Sequence, residues 1–196
     1  MSSSAAISPR ERIVDAVFRL VARGGVAEAS LRKVADESGI NIGSVRHYFG
    51  NHEGLMVAAA EEVGSRMERR LNAALPAADA ELDAAGRREL VEAACRAVLP
   101  LDSSGRTELI VLVELITAAR LHPEFRSLSM RMGADLRAVF REVLAVARVP
   151  DAELEAERLT ALVGGLTFDL VYPHGPHDVT VTSEVLRRHI TALVPD

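Results

Sequence analysis

Apolar residues recur at three- and four-residue intervals along almost the whole chain, with no stretch of apolar–polar alternation. That pattern predicts helices and no strands. Ile13, Val17, Leu20 and Val21 form the stripe of a first helix over 9–23, with Ser8 as its cap, Pro9 in its first turn and Gly24-Gly25 at its end. Asn51 caps a long helix from about 52 to 75, stopped by Pro76. At 1.5 Å per residue it would be roughly 36 Å long, enough to leave one domain and enter another. A loose Ala/Asp-rich stretch (77–85) precedes a helix over about 87–99 that ends at Pro100. Asp102-Ser103-Ser104-Gly105 reads as turn and cap for a helix over about 106–120, apolar on nearly every side from Leu109 to Ile116 and so expected to be surrounded by protein. His122-Pro123 breaks it. Phe125, Leu128, Met132, Leu136, Phe140 and Val143/Leu144 then mark an amphipathic helix ending before Pro150. Asp151 caps the next helix, which ends near Tyr172-Pro173. The loop His174-Gly175-Pro176-His177 leads to a last helix over about 182–193, carried by Val185/Leu186, Ile190 and Leu193.

Between the first helix and the long one, residues 30–55, SLRKVADESGINIGSVRHYFGNHEGL, have the spacing of a helix-turn-helix. Ser30 can N-cap a short helix whose inward face is Val34 and Ala35. Gly39, four residues after Ala35, supplies the positive φ of a tight turn. Ile40 plugs the corner, and Val45 and Phe49 lie one turn apart on the inner face of a second short helix. A small residue is wanted at Ala35 because the second helix crosses there at close range. Arg32, Asn41, Ile42, Ser44, Arg46, His47 and Tyr48 are left to point outward.

The helix near 152–171 is apolar on two faces. Leu154, Ala161, Gly165, Phe168 and Tyr172 make one; Leu159, Leu162, Val163, Leu166 and Leu170 make the other. One face can serve the core and the second a partner. Gly164-Gly165, at ~1 kcal/mol per glycine in a helix interior, would let another helix approach closely. The competing reading is a helix fully buried in a monomer.

A chain of 196 residues holds one large or two small domains with a real core. Its single cysteine, Cys95, excludes an internal disulfide framework and fits a reducing compartment. Glu114 interrupts the longest apolar run, LIVLVELITAA, so nothing approaches the ~20 residues of a membrane span. The start, MSSSAAISPRER, lacks the apolar core of a secretory signal, and a cytoplasmic protein is expected. The net charge of −5 first argues against nucleic acid, but its distribution matters more. Residues 1–60 carry seven Lys/Arg against six Asp/Glu, a balance of +1, while residues 61–196 carry 16 against 22, a balance of −6. The helix-turn-helix is therefore a weakly charged reader with few phosphate contacts per subunit, and binding calls for two subunits.

Residues 9–55 resemble the N-terminal domain of TetR-type bacterial transcriptional regulators. The matching pieces are the first amphipathic helix, Ser30-x-x-x-Val34-Ala35, Gly39-Ile40, and Gly43-x-Val45-x-x-Tyr48-Phe49 followed by Glu53-x-Leu55. The six further helices after residue 55 also look like this family. The resemblance implies an all-α protein of about nine helices: a three-helix DNA-binding helix-turn-helix domain (1–51), then a helical regulatory domain (52–196) holding a ligand pocket and a dimer interface near 152–171 and 182–193. It further implies a homodimer, usually a repressor, on a palindromic double-stranded DNA operator. An unknown small-molecule effector in the larger domain would spread the two reading heads and release the DNA, with the long helix 52–75 as the lever.

By position in the family, Arg32 and the outer face of 41–48 (Asn41, Ile42, Gly43, Ser44, Arg46, His47, Tyr48) approach bases. Ser30, Ser44, Tyr48 and the start of the long helix at His52 hold phosphates. Tyr48 could instead close the small domain's core, and Lys33, the chain's only lysine, faces solvent or phosphate. Two positions depart from the family. Arg46 stands where tyrosine is common and can make a bidentate contact to guanine or bind phosphate. His52 stands where lysine is common, so its contact should be weaker and favoured by lower pH. The backbone amides at that helix start can still bind phosphate.

In the larger domain Glu114 requires a partner, either an arginine such as Arg96, Arg120 or Arg137, or a cationic or hydrogen-bonding ligand. Cys95, Thr117, Met130, Met132, Phe140, Phe168 and Tyr172 could line an adaptable apolar pocket; plain core packing is the competing reading for each. His174 and His177 lack the carboxylate or thiol company of a metal site. No Gly-x-Ser-x-Gly elbow, phosphate-cradling glycine loop or His-Glu-x-x-His occurs, so no enzyme, cofactor, metal or membrane is expected. Two alternatives stand beside this reading: a regulator with a filled core and no ligand, and a helical enzyme or small-molecule binding protein with a coincidental helix-turn-helix spacing.

Overall fold

The computed structural model describes residues 7–74, 81–173, 175 and 179–194. Pro76, the loose stretch after it as far as residue 80, and His174, Pro176 and His177 lie outside the described residues. Among the described residues there are nine α-helices, one 3-10 turn and no strand: α1 (Pro9–Gly24), the turn Val26–Glu28, α2 (Leu31–Ser38), α3 (Ile42–Phe49), α4 (His52–Ala74), α5 (Ala84–Val98), α6 (Ser103–Leu121), α7 (Pro123–Val146), α8 (Ala152–Val171) and α9 (Val179–Leu193). Helices α5 and α6 each begin three residues earlier than the sequence pattern predicts. Their first turns are held by caps rather than by packing: Asp83 Oδ1 accepts from Gly86 N and Asp102 Oδ1 from Gly105 N, both at 2.8 Å. Asp151 does not cap α8 as expected. It takes a left-handed conformation (φ 50°), where its carboxylate makes no capping bond. Arg148, at φ 58°, shares this tight α7–α8 corner.

Two compact units divide the chain. One comprises Met1–Val63 with Ile110–Ser129, the other Gly64–Leu109 with Met130–Asp196. The cut by compactness falls inside α4, α6 and α7. In the first unit, α1 packs on α2 and on the 3-10 turn, and α2 packs on α3. Ile13, Val17, Val34 and Val45 are fully buried there, each worth about 1.5–3 kcal/mol of transfer energy. In the second unit, α5 packs on α9, and Leu90, Cys95, Leu109, Phe140, Leu159 and Ile190 belong to one apolar cluster. No helix among the described residues is long and apolar enough to cross a membrane.

Candidate nucleic-acid interface

Local capping builds the reading head. Ser8 and Glu11 form a capping box at the start of α1 (Glu11 Oε2 accepts from Ser8 N at 2.7 Å, Ser8 Oγ from Glu11 N at 3.2 Å), and this bonding holds the Glu11 carboxyl below its ordinary range. Ser30 Oγ accepts from Lys33 N at 3.3 Å and Asn41 Oδ1 from Ser44 N at 2.8 Å, so two expected DNA contacts serve as N-caps of α2 and α3. Gly39 closes α2 at φ 67°. Arg12 Nη2 donates to Ser38 O at 2.8 Å, a cation on the carbonyl end of α2. Asn51 Oδ1 accepts from Gly54 N at 2.9 Å and starts α4.

The outward face of α3 is as the spacing predicts. Ile42 is 44% exposed and Tyr48 46%, with Asn41, Gly43, Arg46 and His47 also exposed and Ser44 half-buried; Val45 and Phe49 face inward. Tyr48 is thus not a core residue, and its ring meets His47 edge-on at 5.8 Å between centroids. His52 differs from the expectation of a free phosphate contact. Its ring is half-buried and Nε2 donates to Val26 O at 3.2 Å, tying the start of α4 to the 3-10 turn.

Charge pairing decides which cations remain for DNA. Arg19 and Arg23 both bind Glu37, at 2.6 and 2.5 Å, and hold its carboxyl below its ordinary range. Lys33 Nζ binds Glu28 at 2.6 Å, Arg10 lies 4.0 Å from Glu61 and over the Phe49 ring, and Arg12 is spent on Ser38. Among the described cations of residues 1–60, Arg32 and Arg46 alone have no such partner, and both are exposed. Periodicity could place them outward but could not reveal that the other five are engaged.

The expected pocket residues are distributed over both units and over buried and exposed positions. Cys95 and Phe140 are wholly buried in the apolar cluster of the second unit, and burial pushes the Cys95 thiol up to about 12, with Glu92 adding to it. They pack because both sit on the inner stripe of their helices. Phe168 and Tyr172 lie on the exposed face of α8 with ring centroids 5.3 Å apart, Met132 is half-buried and Met130 exposed. Thr117 is exposed and belongs, with Glu114, to the first unit. Glu114 lies against Gly25 at the end of α1; of the three arginines proposed for it, Arg96 pairs with Glu92 at 2.7 Å and Arg137 with Glu157 at 2.9 Å. The deeply buried carboxylate is instead Glu108. Arg70 holds it with Nη2 at 2.5 Å from Oε1 and Nη1 at 3.2 Å from Oε2, while its Nε donates to Ala97 O at 2.7 Å. No group of three or more metal-ligating side chains occurs among the described residues.

A capped helix pair that presents α3 outward, with Arg46 exposed on that helix and Arg32 exposed on α2, has the arrangement of a helix-turn-helix DNA-binding domain. Residues 13–59 match the model of bacterial regulatory proteins of the tetR family, and residues 87–195 that of the C-terminal part of BetI-type transcriptional repressors. The chain belongs to the TetR family of transcriptional regulators. It is 35% identical over 65 residues to the nicotine-responsive transcriptional repressor HdnoR of Paenarthrobacter nicotinovorans, covering 33% of this chain and 34% of that protein. It is 32% identical over 62 residues to the regulator PksA of Bacillus subtilis, covering 32% and 30%. In both matches the chain spans about a third of the relative's length. The regulator BetI of Rhizobium meliloti is 24% identical over 188 residues, covering 93% and 90%. Among solved structures, a transcriptional regulator from Rhodococcus sp. Rha1 superposes with a TM-score of 0.82 at 25% identity, over 95% and 96% of the two chains. The multidrug binding protein EbrR in complex with imidazole does so at 0.63 and 29%, over 96% of each.

Proposed function

We propose that the protein is a homodimeric repressor that reads a palindromic operator with α3 and is released from it by a small-molecule effector. The observation that carries this reading is the exposed face of α3 with Arg46, joined by Arg32 of α2, as the reading head's unpaired cations. Two such cations give a weak grip on phosphate for a single subunit, so two heads on half-sites one helical turn apart, ~34–36 Å, are required. The surface for pairing is the outer face of α8. Leu154, Ala161, Gly165, Phe168 and Tyr172 are all exposed, with Phe168 at 45%, whereas Leu159, Val163, Leu166 and Leu170 on the opposite face are buried. On α9, Val181, Val185 and Ala192 are exposed as well. Residues 1–51 act as reading head and residues 52–196 as regulatory region in this scheme.

The effector reading rests on a cleft of about 570 Å³ in the second unit, between the end of α4 and α5. Leu82, Leu90, Ala93 and Ala97 line it with Arg70, Glu89 and Arg96 at its walls. That volume lies within the ~300–1,000 Å³ usual for small-molecule sites, and an effector seated there is the second part of the proposal. The test is a gel shift with the DNA upstream of the protein's own gene, repeated with nicotine and with ethidium, a ligand of the structural neighbour EbrR. A shift at dimer stoichiometry that one of these compounds reverses is expected. No shift even at low salt would overturn the DNA-binding reading. A shift that no compound in a wider panel reverses would overturn the effector reading alone.

A further inference from the structure

Gly25 ends α1 with φ 77° and ψ 179°, a conformation open essentially to glycine. Its α-carbon is also covered, since a Cβ there would stand 2.9 Å from Glu114 Oε2. The Glu114 carboxylate, reaching from α6, is thus seated on the corner between α1 and the 3-10 turn, inside one compact unit. From that corner, short links lead to the DNA-facing elements. Gly25 O accepts from Glu28 N at 3.1 Å, and the Glu28 carboxylate holds Lys33 Nζ in the first turn of α2. Val26 O accepts from Ala29 N at 3.2 Å and from His52 Nε2, at the first residue of α4, at the same distance. One three-residue turn therefore pins the N-terminal ends of both α2 and α4.

We infer that Glu114 is a positioning residue for the reading head. Its carboxylate seats the Gly25–Glu28 turn, and through the turn it sets the ends of α2 and α4 that approach phosphate. Glu114 itself touches no DNA. The inference rests on the DNA-binding reading above and gives this side of α6 a task other than lining a ligand site.

The test uses the full chain and a duplex that the wild-type protein enriches from a random-sequence pool. Binding is measured across a salt series, with the active fraction fixed by stoichiometric titration. Glu114→Ala should bind roughly 2- to 30-fold more weakly, the range of couplings carried through packed side chains. Its log affinity against log salt should be shallower by about 0.9 for each phosphate that the head no longer neutralises, at an unchanged active fraction. Glu114→Gln, which keeps the shape and an acceptor oxygen, should lie between Glu114→Ala and wild type. Gly25→Ala should also weaken binding, and Gly25→Ala/Glu114→Ala should recover part of that loss because the 2.9 Å clash is gone. Binding by Glu114→Ala as tight as wild type or tighter overturns the inference, as does weaker binding with an unmoved salt slope, the mark of a purely structural role. A wild-type protein that enriches no duplex removes the DNA-binding reading itself, which is a separate failure.

Discussion

Arg70→Ala should damage stability more than loss of any surface ion pair. The Glu108 side chain is 3% exposed and that of Arg70 32%. Arg70 supplies both carboxylate oxygens with a donor and also satisfies Ala97 O at the end of α5. Truncation removes all three bonds at once and strands an acid out of water. Breaking such a buried pair from one side costs about 3–5 kcal/mol. At ~2–4 °C per kcal/mol for a chain of this size, the thermal midpoint should fall by roughly 6–20 °C. Circular dichroism melts at fixed protein concentration measure this directly, the concentration being held because any dimer shifts the midpoint by mass action. The double variant Arg70→Met/Glu108→Leu separates the pair's own worth from the cost of orphaning one partner. Apolar replacement of both partners is often nearly neutral, so it should melt well above Arg70→Ala. A fall below about 2 °C for Arg70→Ala, or a double variant as unstable as the single one, would refute the reasoning.

Arg46→Ala should weaken operator binding and relax preference at one base position by about 1–3 kcal/mol, read in gel shifts on single-base operator variants; a uniform loss on all variants would make Arg46 a phosphate contact. Phe168→Glu should convert a dimer to a monomer in analytical ultracentrifugation, weakening association at least ~30-fold, as for an aromatic anchor worth ~2 kcal/mol; an unchanged sedimentation coefficient would place the interface elsewhere. The Glu37 carboxyl is held below its ordinary value of 4.5 by Arg19 and Arg23. A depressed folded value means that its stabilisation is complete above about 4.5 and is lost as pH falls through the lowered value. Glu37→Gln should therefore melt below wild type at pH 7, with the difference closing as the pH drops under 4.5, and a gap constant with pH would argue against it.

What could be read from sequence was what neighbours in the chain decide. Ser30, Gly39 and Asn51 act on amides or carbonyls within a few residues of themselves, so spacing alone placed the helix-turn-helix and the start of α4. The two faces of α8 were legible for a similar reason, because burial follows the helical period. Partner choice was not legible. Glu108 and Glu114 lie on one helix, and the pattern gives no reason to prefer either as the buried acid; the arginine that decides it is 38 residues from Glu108. Cys95 and Phe140 were ambiguous between cavity wall and core, since both uses need the same inward-facing position. Spacing places His52 at the start of α4, but nothing local announces Val26 O, 26 residues earlier, as its acceptor.

The ion pair between Lys33 and Glu28 has a practical side. Since Lys33 is the chain's only lysine, amine-directed dyes, biotinylation or coupling to a sensor surface can modify one side chain, apart from the terminal amine. That side chain is a pin of the DNA-reading head. A stock labelled in this way would be a uniform variant lacking the Glu28 ion pair, and a surface prepared from it would hold each molecule through the first turn of α2, within the helix-turn-helix. Tethering through Cys95 is no remedy, for its thiol is sealed in the core. An affinity measured on this protein is therefore sounder with the DNA immobilised and the protein left free.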